Sequence, residues 1–201
     1  MISSTLIIMD KSSLNQYFHS LFSIEKETVE KITETFKYFD LKANTVLLNK
    51  DEVSIKTYFL EKGYVRSYIL NEDNEEITTN IYAAPCFVND FLSFFRQQPA
   101  KEVYQTITAC TFWETGLDNV QHNFHHIPEF REFSRLLFVL NYYNIHDRLI
   151  EMASQKASTR YFNLMKKHPD IFQYVPLKVI ASYLGIKDSS LSRIRREINK
   201  I

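Results

Sequence analysis

The C-terminal segment VPLKVIASYLGIKDSSLSRIRREI, residues 175–198, is rich in charged and hydroxyl side chains. Hydroxyl and ammonium groups suit phosphate oxygens, and a guanidinium also reads the edge of a guanine. The candidates for such contacts are Lys178, Lys187, Asp188, Ser189, Ser190, Ser192, Arg193 and Arg196. If one helix displays most of them, the segment has the chemistry of a nucleic-acid surface.

The apolar residues around this cluster have the spacing of a helix-turn-helix. Ala181 precedes Gly185 by four residues, and Leu191 follows it by six. A small residue lets two helices approach, a glycine permits the tight turn, and Leu191 with Ile194 fills the joint. The pattern predicts a recognition helix over residues 189–198. The alternative is an ordinary helical hairpin without a nucleic-acid role.

The charge of the chain is unevenly distributed. Residues 154–201 contain ten Lys and Arg against three acids, which is a formal charge of +7. The whole chain is neutral, so the first 153 residues carry −7. A basic C-terminal domain on an acidic body indicates a polyanionic partner for that domain alone. A solvated basic surface is the alternative.

The other reactive side chains do not form a catalytic or metal-site pattern. The histidines of HNFHH, His122, His125 and His126, lack a nearby cysteine and are predicted to be surface or hinge residues. Cys86 and Cys110 are predicted to be buried thiols, with a redox pair as the alternative. Because no nucleophile–base pair is evident, the sequence predicts no catalytic residue, metal or cofactor.

Length and composition fit a globular protein of one large or two small domains. The chain has 201 residues, of which 45% are hydrophobic, and it has no apolar run of transmembrane length. The N-terminal TLIIM has no basic flank and is too short for a signal peptide. Two cysteines are too few for a disulfide framework. These features predict a cytoplasmic protein without a membrane partner.

Apolar periodicity divides the chain into helical and β-rich parts. Helical spacing over residues 12–39 precedes four β-rich segments, TVLLNK, TYFLEKGYVRSYIL, EEITTNIYAAPCF and TITACTFWETGL. Turns are predicted at Asn44, at Asp51 and at NEDNEE. Helical spacing returns after Pro128, and STRYFNLMKKH forms a second helix. IFQYVP is predicted to be extended.

This order of elements resembles the Crp/Fnr transcription regulators over nearly the whole chain. YFLEKGYVRSYIL is similar to the strand–Gly–strand hairpin of that family, with Gly63 at the turn, and GIKDSSLSRIRREI is similar to its recognition helix. The resemblance implies that Arg193 contacts a base and that Asp188 and Ser189 occupy the other base-reading positions. It also implies a parallel pairing of two long helices and contact with RNA polymerase.

The implied fold is α+β, in three parts. Residues 1–128 would form N-terminal helices and a jelly-roll-like β-roll sensor domain of the cyclic-nucleotide-binding type. Residues 129–153 would form a long dimerisation helix, with Phe133, Leu137, Leu140 and Ile150 as its apolar stripe. Residues 154–201 would form a winged helix-turn-helix domain.

FVNDFLSFFRQQPAKEVYQTIT, residues 87–108, aligns with the phosphate-binding cassette of that family. Asn89 and Asp90 replace its Gly-Glu pair, and Lys101 stands near its arginine. The segment has no glycine to let backbone amides approach a phosphate, and Lys101 is a point charge rather than a fork. It is either a weakened anion site or a loop that packs Phe91, Phe94 and Phe95 into the core, and the second interpretation is favoured.

The resemblance also suggests where an effector would lie. Its candidate contacts are Asn89, Asp90 and Lys101 in the cassette and Tyr142, Asn144 and His146 on the long helix. The degenerate cassette predicts that cyclic AMP is not the effector.

Together these patterns predict a homodimeric transcription regulator that binds a near-palindromic site in double-stranded DNA. A small-molecule effector of unknown identity is an additional expected partner. The alternative is a small-molecule binding module, with cyclic nucleotides among its ligands, whose C-terminal domain makes protein contacts.

Overall fold

The computed structural model describes residues 10–198, so the TLIIM segment and Lys200 lie outside the described part. The described chain begins with two amphipathic helices, α1 (Ser12–Leu21) and α2 (Lys26–Thr33). Leu14 and Phe18 of α1 and Val29 and Ile32 of α2 are fully buried in one hydrophobic core, and Tyr17 and Leu21 pack at its edge. The helical spacing predicted to continue to residue 39 was wrong at its end, because the chain becomes a strand at Lys37. Phe36 continues the apolar period, but it reaches the core from the turn before that strand.

Between residues 10 and 198, eight strands form two antiparallel sheets that face each other. The strands are β1 (Lys37–Leu41), β2 (Val46–Leu48), β3 (Lys56–Lys62), β4 (Tyr64–Leu70), β5 (Glu76–Ala83), β6 (Cys86–Val88), β7 (Val103–Thr106) and β8 (Cys110–Gly116). One sheet has the order β1-β8-β3-β6 and the other β2-β7-β4-β5. A buried cluster that includes Leu60, Val65 and Phe112 fills the space between them. The predicted β-roll is confirmed.

The predicted turns also occur. Asn44 and Asp51 adopt φ values of 62° and 70°, the left-handed region that Asn and Asp tolerate. Gly63 joins β3 to β4 at φ 100°. In the NEDNEE turn, the Asn71 side chain accepts hydrogen bonds from the backbone N–H groups of Asp73 and Glu75.

Three helices follow or interrupt the sheets: α3 (Phe91–Arg96), α4 (Leu117–His126) and the 27-residue α5 (Pro128–Ser154). Pro128 occupies the first turn of α5, where no backbone donor is lost to the helix. The first half of α5 packs on α1, with the rings of Phe133 and Phe18 stacked at 4.0 Å. Within the described residues, none of these helices is long and apolar enough to cross a membrane.

The C-terminal domain consists of α6 (Ala157–Lys167), α7 (Ile171–Tyr174), α8 (Leu177–Tyr183) and α9 (Asp188–Ile198). The prediction of an extended IFQYVP was wrong, since residues 171–174 form α7 with Ile171 in the core. The domain is helical throughout its described part, residues 157–198, so it differs from the winged form in having no strands there.

The C-terminal domain is docked on the edge strand β5. Ser182 Oγ of α8 accepts a hydrogen bond from the Thr78 N–H at 2.8 Å and donates to the Glu76 carbonyl at 3.3 Å. Side chains of the β-roll complete the helical core, and they are Tyr64, Ile81 and Ile107. The two domains therefore share one apolar interface.

Candidate nucleic-acid interface and sensor pocket

Helix α9, the predicted recognition helix, displays most of the predicted contact residues. Its apolar side is fixed, because Leu191 and Ile194 are buried against α8 with Ile180 and Ala181. Ile198 packs at the edge of the same core, and most of the remaining side chains of α9 are exposed. Those exposed are Lys187, Asp188, Ser189, Ser192, Arg193 and Arg196, and Ser190 is half-buried.

The turn before α9 has the geometry that the glycine spacing predicted. Gly185 adopts φ 66°, and its N–H donates to the Ser182 carbonyl at 3.0 Å. The Ile186 N–H donates to the Ala181 carbonyl at 3.0 Å. These bonds close the end of α8 and set the direction of α9, so the predicted helix-turn-helix is present.

The basic side chains of α9 are free to meet an anion. In the described part of the chain, the ion pairs are Lys26–Glu30, Lys56–Glu114, Arg66–Glu76 and Arg135–Glu132, and none involves α9. Arg196 makes one long hydrogen bond, from Nε to the Ser192 carbonyl at 3.4 Å. Asp188 lies in the first helical turn, where a carboxylate is favoured by the helix dipole.

Lys178 lies apart from this face. It is exposed on α8, at a cavity between α8 and the β-roll that Arg66 and Glu76 also line. Its grouping with the α9 residues rested on sequence proximity alone.

Two arginines that hold the recognition unit were not identified from the sequence. Arg160 donates to the Leu184 carbonyl at 2.8 Å and to the Gln155 carbonyl at 2.6 Å, which ties α6 to the turn of the motif. Arg148 of α5 donates to the carbonyls of Tyr183 and Thr79. These roles cannot be inferred from residue types, because both arginines bind backbone carbonyls, which every residue carries.

In the cassette segment, the predicted anion ligands have structural roles or face solvent. Asp90 caps α3 by accepting a hydrogen bond from the Ser93 N–H at 2.9 Å. The Ser93 hydroxyl in turn accepts from the Ser54 N–H at 2.8 Å. Lys101 is exposed in the bend before β7, and Asn89 is buried with no partner for its Oδ1 atom among the described residues.

Phenyl rings occupy the space between this segment and α5. Phe94 is fully buried, while Phe91 is half-buried and Phe95 remains 43% exposed. Phe91 and Phe95 pack on Phe138 of α5, with centroid distances of 4.8 and 5.5 Å. The cavity left beside these rings measures about 40 Å³. The loop was predicted to pack Phe91, Phe94 and Phe95 into the core, and only Phe94 is fully buried there.

Two tyrosines and a cysteine lie in the β-roll next to this segment. Burial raises the pKa of Tyr104, and the neighbouring Tyr82, Glu102 and Asp90 raise it further. Burial also raises the pKa values of Tyr82 and of the Cys86 thiol to about 12. The two phenols and the thiol are therefore uncharged near neutral pH.

The six candidate effector residues do not converge within one protomer. Tyr142, Asn144 and His146 are exposed on α5 and do not line the cavity beside Asn89. The rings of Tyr142 and His146 stack on each other at 5.7 Å, and Asn144 Oδ1 accepts a bond from Lys167 Nζ at 3.2 Å.

The histidines and cysteines of residues 10–198 do not cluster into a metal-binding group. No group of three or more His, Cys, Asp or Glu in residues 10–198 is arranged to hold a metal. His122 and His126 stack at 4.3 Å on one face of α4. Cys86 and Cys110 are both free thiols, and Cys110 is buried.

The amino-acid sequence matches no family model and no curated protein. The structure is similar to several solved structures, and those described next share 13–14% sequence identity with it. The c-di-GMP responsive global regulator CLP of Xanthomonas campestris has a TM-score of 0.68 at 14% identity, over 88% of this chain and 92% of CLP. FixK2 of Bradyrhizobium japonicum has a TM-score of 0.68 at 13% identity, over 82% and 85% of the two chains.

A mutant of CooA from Carboxydothermus hydrogenoformans has a TM-score of 0.67 at 13% identity, over 96% of this chain and 86% of CooA. At such identities the likeness establishes the fold. The chain shares with these structures the arrangement of a β-roll, a long helix and a helical C-terminal domain.

Proposed function

We propose that this protein is a transcription regulator of the Crp/Fnr type that binds a near-palindromic site in double-stranded DNA as a homodimer. The observation that carries the proposal is the outer face of α9, where exposed, unpaired basic and hydroxyl side chains stand on a helix fixed by buried residues. Selecting bound sequences from random DNA with the purified protein tests it. A selected motif with two inverted half-sites is the expected result.

The alternative is a small-molecule binding module with a protein-binding C-terminal domain, and it predicts no specific DNA binding at any salt concentration. Phosphate contacts release counterions, so DNA affinity falls steeply and log-linearly with salt concentration. Weak binding with the same affinity for every sequence would favour the alternative.

The dimer is proposed to form through the second half of α5. Phe133 and Leu137, two residues of the stripe expected from the sequence, pack on the protomer's own core instead. A different set of exposed apolar residues repeats with alternating spacings of four and three, as in a coiled coil. This set, the apolar stripe, is Phe138, Tyr142, Ile145, Leu149 and Met152. Pairing two stripes about a twofold axis would present two recognition helices about 34 Å apart.

On the recognition helix, Arg193 is proposed to read a base, and Lys187, Ser190 and Arg196 to contact phosphates. Asp188 and Ser189 occupy the positions from which other bases would be read. Asp188 accepts but does not donate hydrogen bonds when ionised, so it would select a cytosine amino group rather than a guanine.

Arg193→Ala is expected to weaken binding to the selected DNA by about 1–3 kcal/mol and to relax the preference at one position of each half-site. The reason is the loss of a guanidinium that makes two bonds to one base. Arg196→Ala should instead weaken all sequences alike, as loss of a phosphate contact does. Fluorescence anisotropy against the selected and mismatched sites measures both.

Arg96→Ala is the matched control, since Arg96 is an exposed arginine at the end of α3, far from α9 in the sequence. It should bind as the wild type does. Unchanged affinity and selectivity in Arg193→Ala would contradict the proposed base contact.

The β-roll is proposed not to bind cyclic AMP or cyclic GMP. A buried cyclic phosphate needs a paired charge and several amide donors. Here Asp90 is used to cap α3, Lys101 faces solvent, and phenyl rings fill the space against α5.

Calorimetric titration of the purified protein with either nucleotide should therefore give only the heat of dilution, in the wild type and in Lys101→Ala alike. The titration would refute the proposal if it showed micromolar binding that Lys101→Ala abolishes, because the cassette would then hold the phosphate.

A further inference from the structure

Helix α3 presents apolar side chains to solvent although the helix itself is firmly held in the protomer. Leu92 is 68% exposed and Phe95 is 43% exposed. Beneath them the helix is fixed, because Asp90 caps its first turn and the Ser93 hydroxyl accepts a hydrogen bond from the Ser54 N–H. A contiguous apolar surface on a rigid element is typical of a site that binds a partner.

Leu92 and Phe95, which together form the α3 edge, continue directly into the apolar stripe of α5. The rings of Phe91 and Phe95 pack on Phe138, the first residue of the stripe, at 4.8 and 5.5 Å. Helix α3 therefore lies on the side of the β-roll that is nearest to the proposed dimer axis.

Three consecutive residues of α5 indicate which element the α3 edge meets. Successive residues of an α-helix lie about 100° apart around its axis. Leu137 packs on the protomer's own core and Phe138 lies on the stripe, so Val139 points to the flank opposite the core. When two such helices pair about a twofold axis, each has its own β-roll on one flank and the partner's β-roll towards the other. Because α3 packs at the height of Phe138, the α3 edge of one chain comes to Val139 of the other.

The apolar stripe is also too small to form a stable dimer by itself. Its five side chains are between 38% and 69% exposed in the protomer. At about 150–250 Å² for a large side chain, they offer roughly 400–700 Å² per chain. Stable interfaces bury about 800 Å² per partner. The α3 edge and Val139, which is 52% exposed, supply most of the difference.

We propose that the α3 edge of each chain docks on the Val139 flank of the partner's α5, so that the cassette segment forms part of the dimer interface. The proposal rests on the homodimer proposed above and extends it from a pair of helices to a contact between each β-roll and the opposite helix. It accounts for the division of side chains on α3, where Phe94 fills the core of the protomer while Leu92 and Phe95 remain exposed until a second copy covers them.

Cross-linking between separate chains tests the contact. One preparation carries Leu92→Cys, and a second, made heavier by a fused tag, carries Val139→Cys. After subunit exchange and treatment with a short bismaleimide, a cross-linked heterodimer is expected. The wild type, with its free Cys86 and Cys110, gives the background. Val46→Cys is the matched control for Leu92→Cys, because Val46 is an exposed apolar residue on the edge strand β2, and it should give only that background.

Serine variants measure how much the contact contributes to the dimer. Leu92→Ser and Val139→Ser are each expected to raise the dimer dissociation constant about tenfold in analytical ultracentrifugation. Both side chains are exposed in the protomer, so the fold is retained. Because the two residues contact each other, the double variant should raise the constant by much less than the product of the single effects. Val46→Ser should leave the constant unchanged.

Cross-linking of Ile145→Cys to itself separates this proposal from that of the homodimer, since Ile145 lies in the middle of the stripe. If Ile145→Cys forms a linked dimer while the mixture of Leu92→Cys and Val139→Cys does not, the helices pair without the α3 contact. Serine effects that simply multiply in the double variant would also overturn the contact. If neither link forms and the wild type has a monomeric mass, the homodimer is wrong and the α3 contact is wrong with it.

Discussion

A double variant carrying Ile145→Glu and Leu149→Glu is expected to be monomeric and to bind the selected DNA about a hundredfold more weakly than the wild type. These two residues are 68% and 66% exposed in the protomer and lie at the middle of the apolar stripe. Two carboxylates buried between paired helices would be unpaired charges in an apolar contact, which proteins do not tolerate. Loss of the partner then removes the second half-site contact.

Mass by light scattering at micromolar concentration and DNA affinity by anisotropy measure the two effects. Ile55→Glu combined with Leu70→Glu is the matched control, because both residues are exposed apolar side chains of the β-roll, at 60% and 52%. The control should remain dimeric. A wild-type monomer, or a dimer of the Ile145→Glu, Leu149→Glu variant, would show that α5 is not the interface.

Replacement of Gly63 by alanine is expected to destabilise the β-roll by about 2–4 kcal/mol. Gly63 has φ 100°, where an L side chain is strained. A Cβ atom there would also lie 2.6 Å from the Ala109 carbonyl oxygen and 2.6 Å from the Cys110 sulfur. The carbonyl belongs to the backbone of the loop that joins β7 to β8, directly before the first residue of β8, so moving it aside would disturb the start of that strand.

Gly116→Ala provides the control for this prediction. Gly116 has φ −84°, and a Cβ atom added there would meet only the Ile55 carbonyl oxygen, at 3.9 Å. Its stability should change by no more than about 1 kcal/mol. Urea unfolding followed by circular dichroism compares the two. Equal midpoints for both variants would contradict the assignment of a conformational requirement to Gly63.

The elements best predicted from the sequence are those with strong local signals. β-Branched runs with turn residues between them gave the β-roll, and Asn44, Asp51 and Gly63 marked turns that need a positive φ. The helix-turn-helix was predictable because it needs a small residue at Ala181, a glycine at Gly185 and buried apolar residues at fixed spacings after them.

Elements held by distant contacts were missed or misplaced. The four-residue helix α7 is too short to form by propensity, and it exists because Ile171 is buried and Phe172 packs on Tyr161 at 4.8 Å. The start of β1 was masked by Phe36, whose spacing fits a helix equally well. Both outcomes depend on partners far away in the sequence.

The candidate sites show the same division. The outward face of α9 followed from its own apolar period. Of the stripe predicted for α5, Phe133 and Leu137 face the core of the chain itself, while Leu140 and Ile150 are exposed. The helix is apolar on two faces, and only the packing of Phe133 on Phe18 shows which face is already used.

The docking of α8 on β5 also bears on the solubility of the protein. β5 is the last strand of its sheet, and an uncovered strand edge pairs readily with the same edge of another molecule. Here the Ser182 hydroxyl accepts a hydrogen bond from the Thr78 N–H, and Arg148 donates one to the Thr79 carbonyl. The C-terminal core also covers Ile81. The helices therefore shield an edge that would otherwise recruit copies of itself into intermolecular sheet. Any state in which α8 leaves β5 is one in which the protein becomes prone to aggregate.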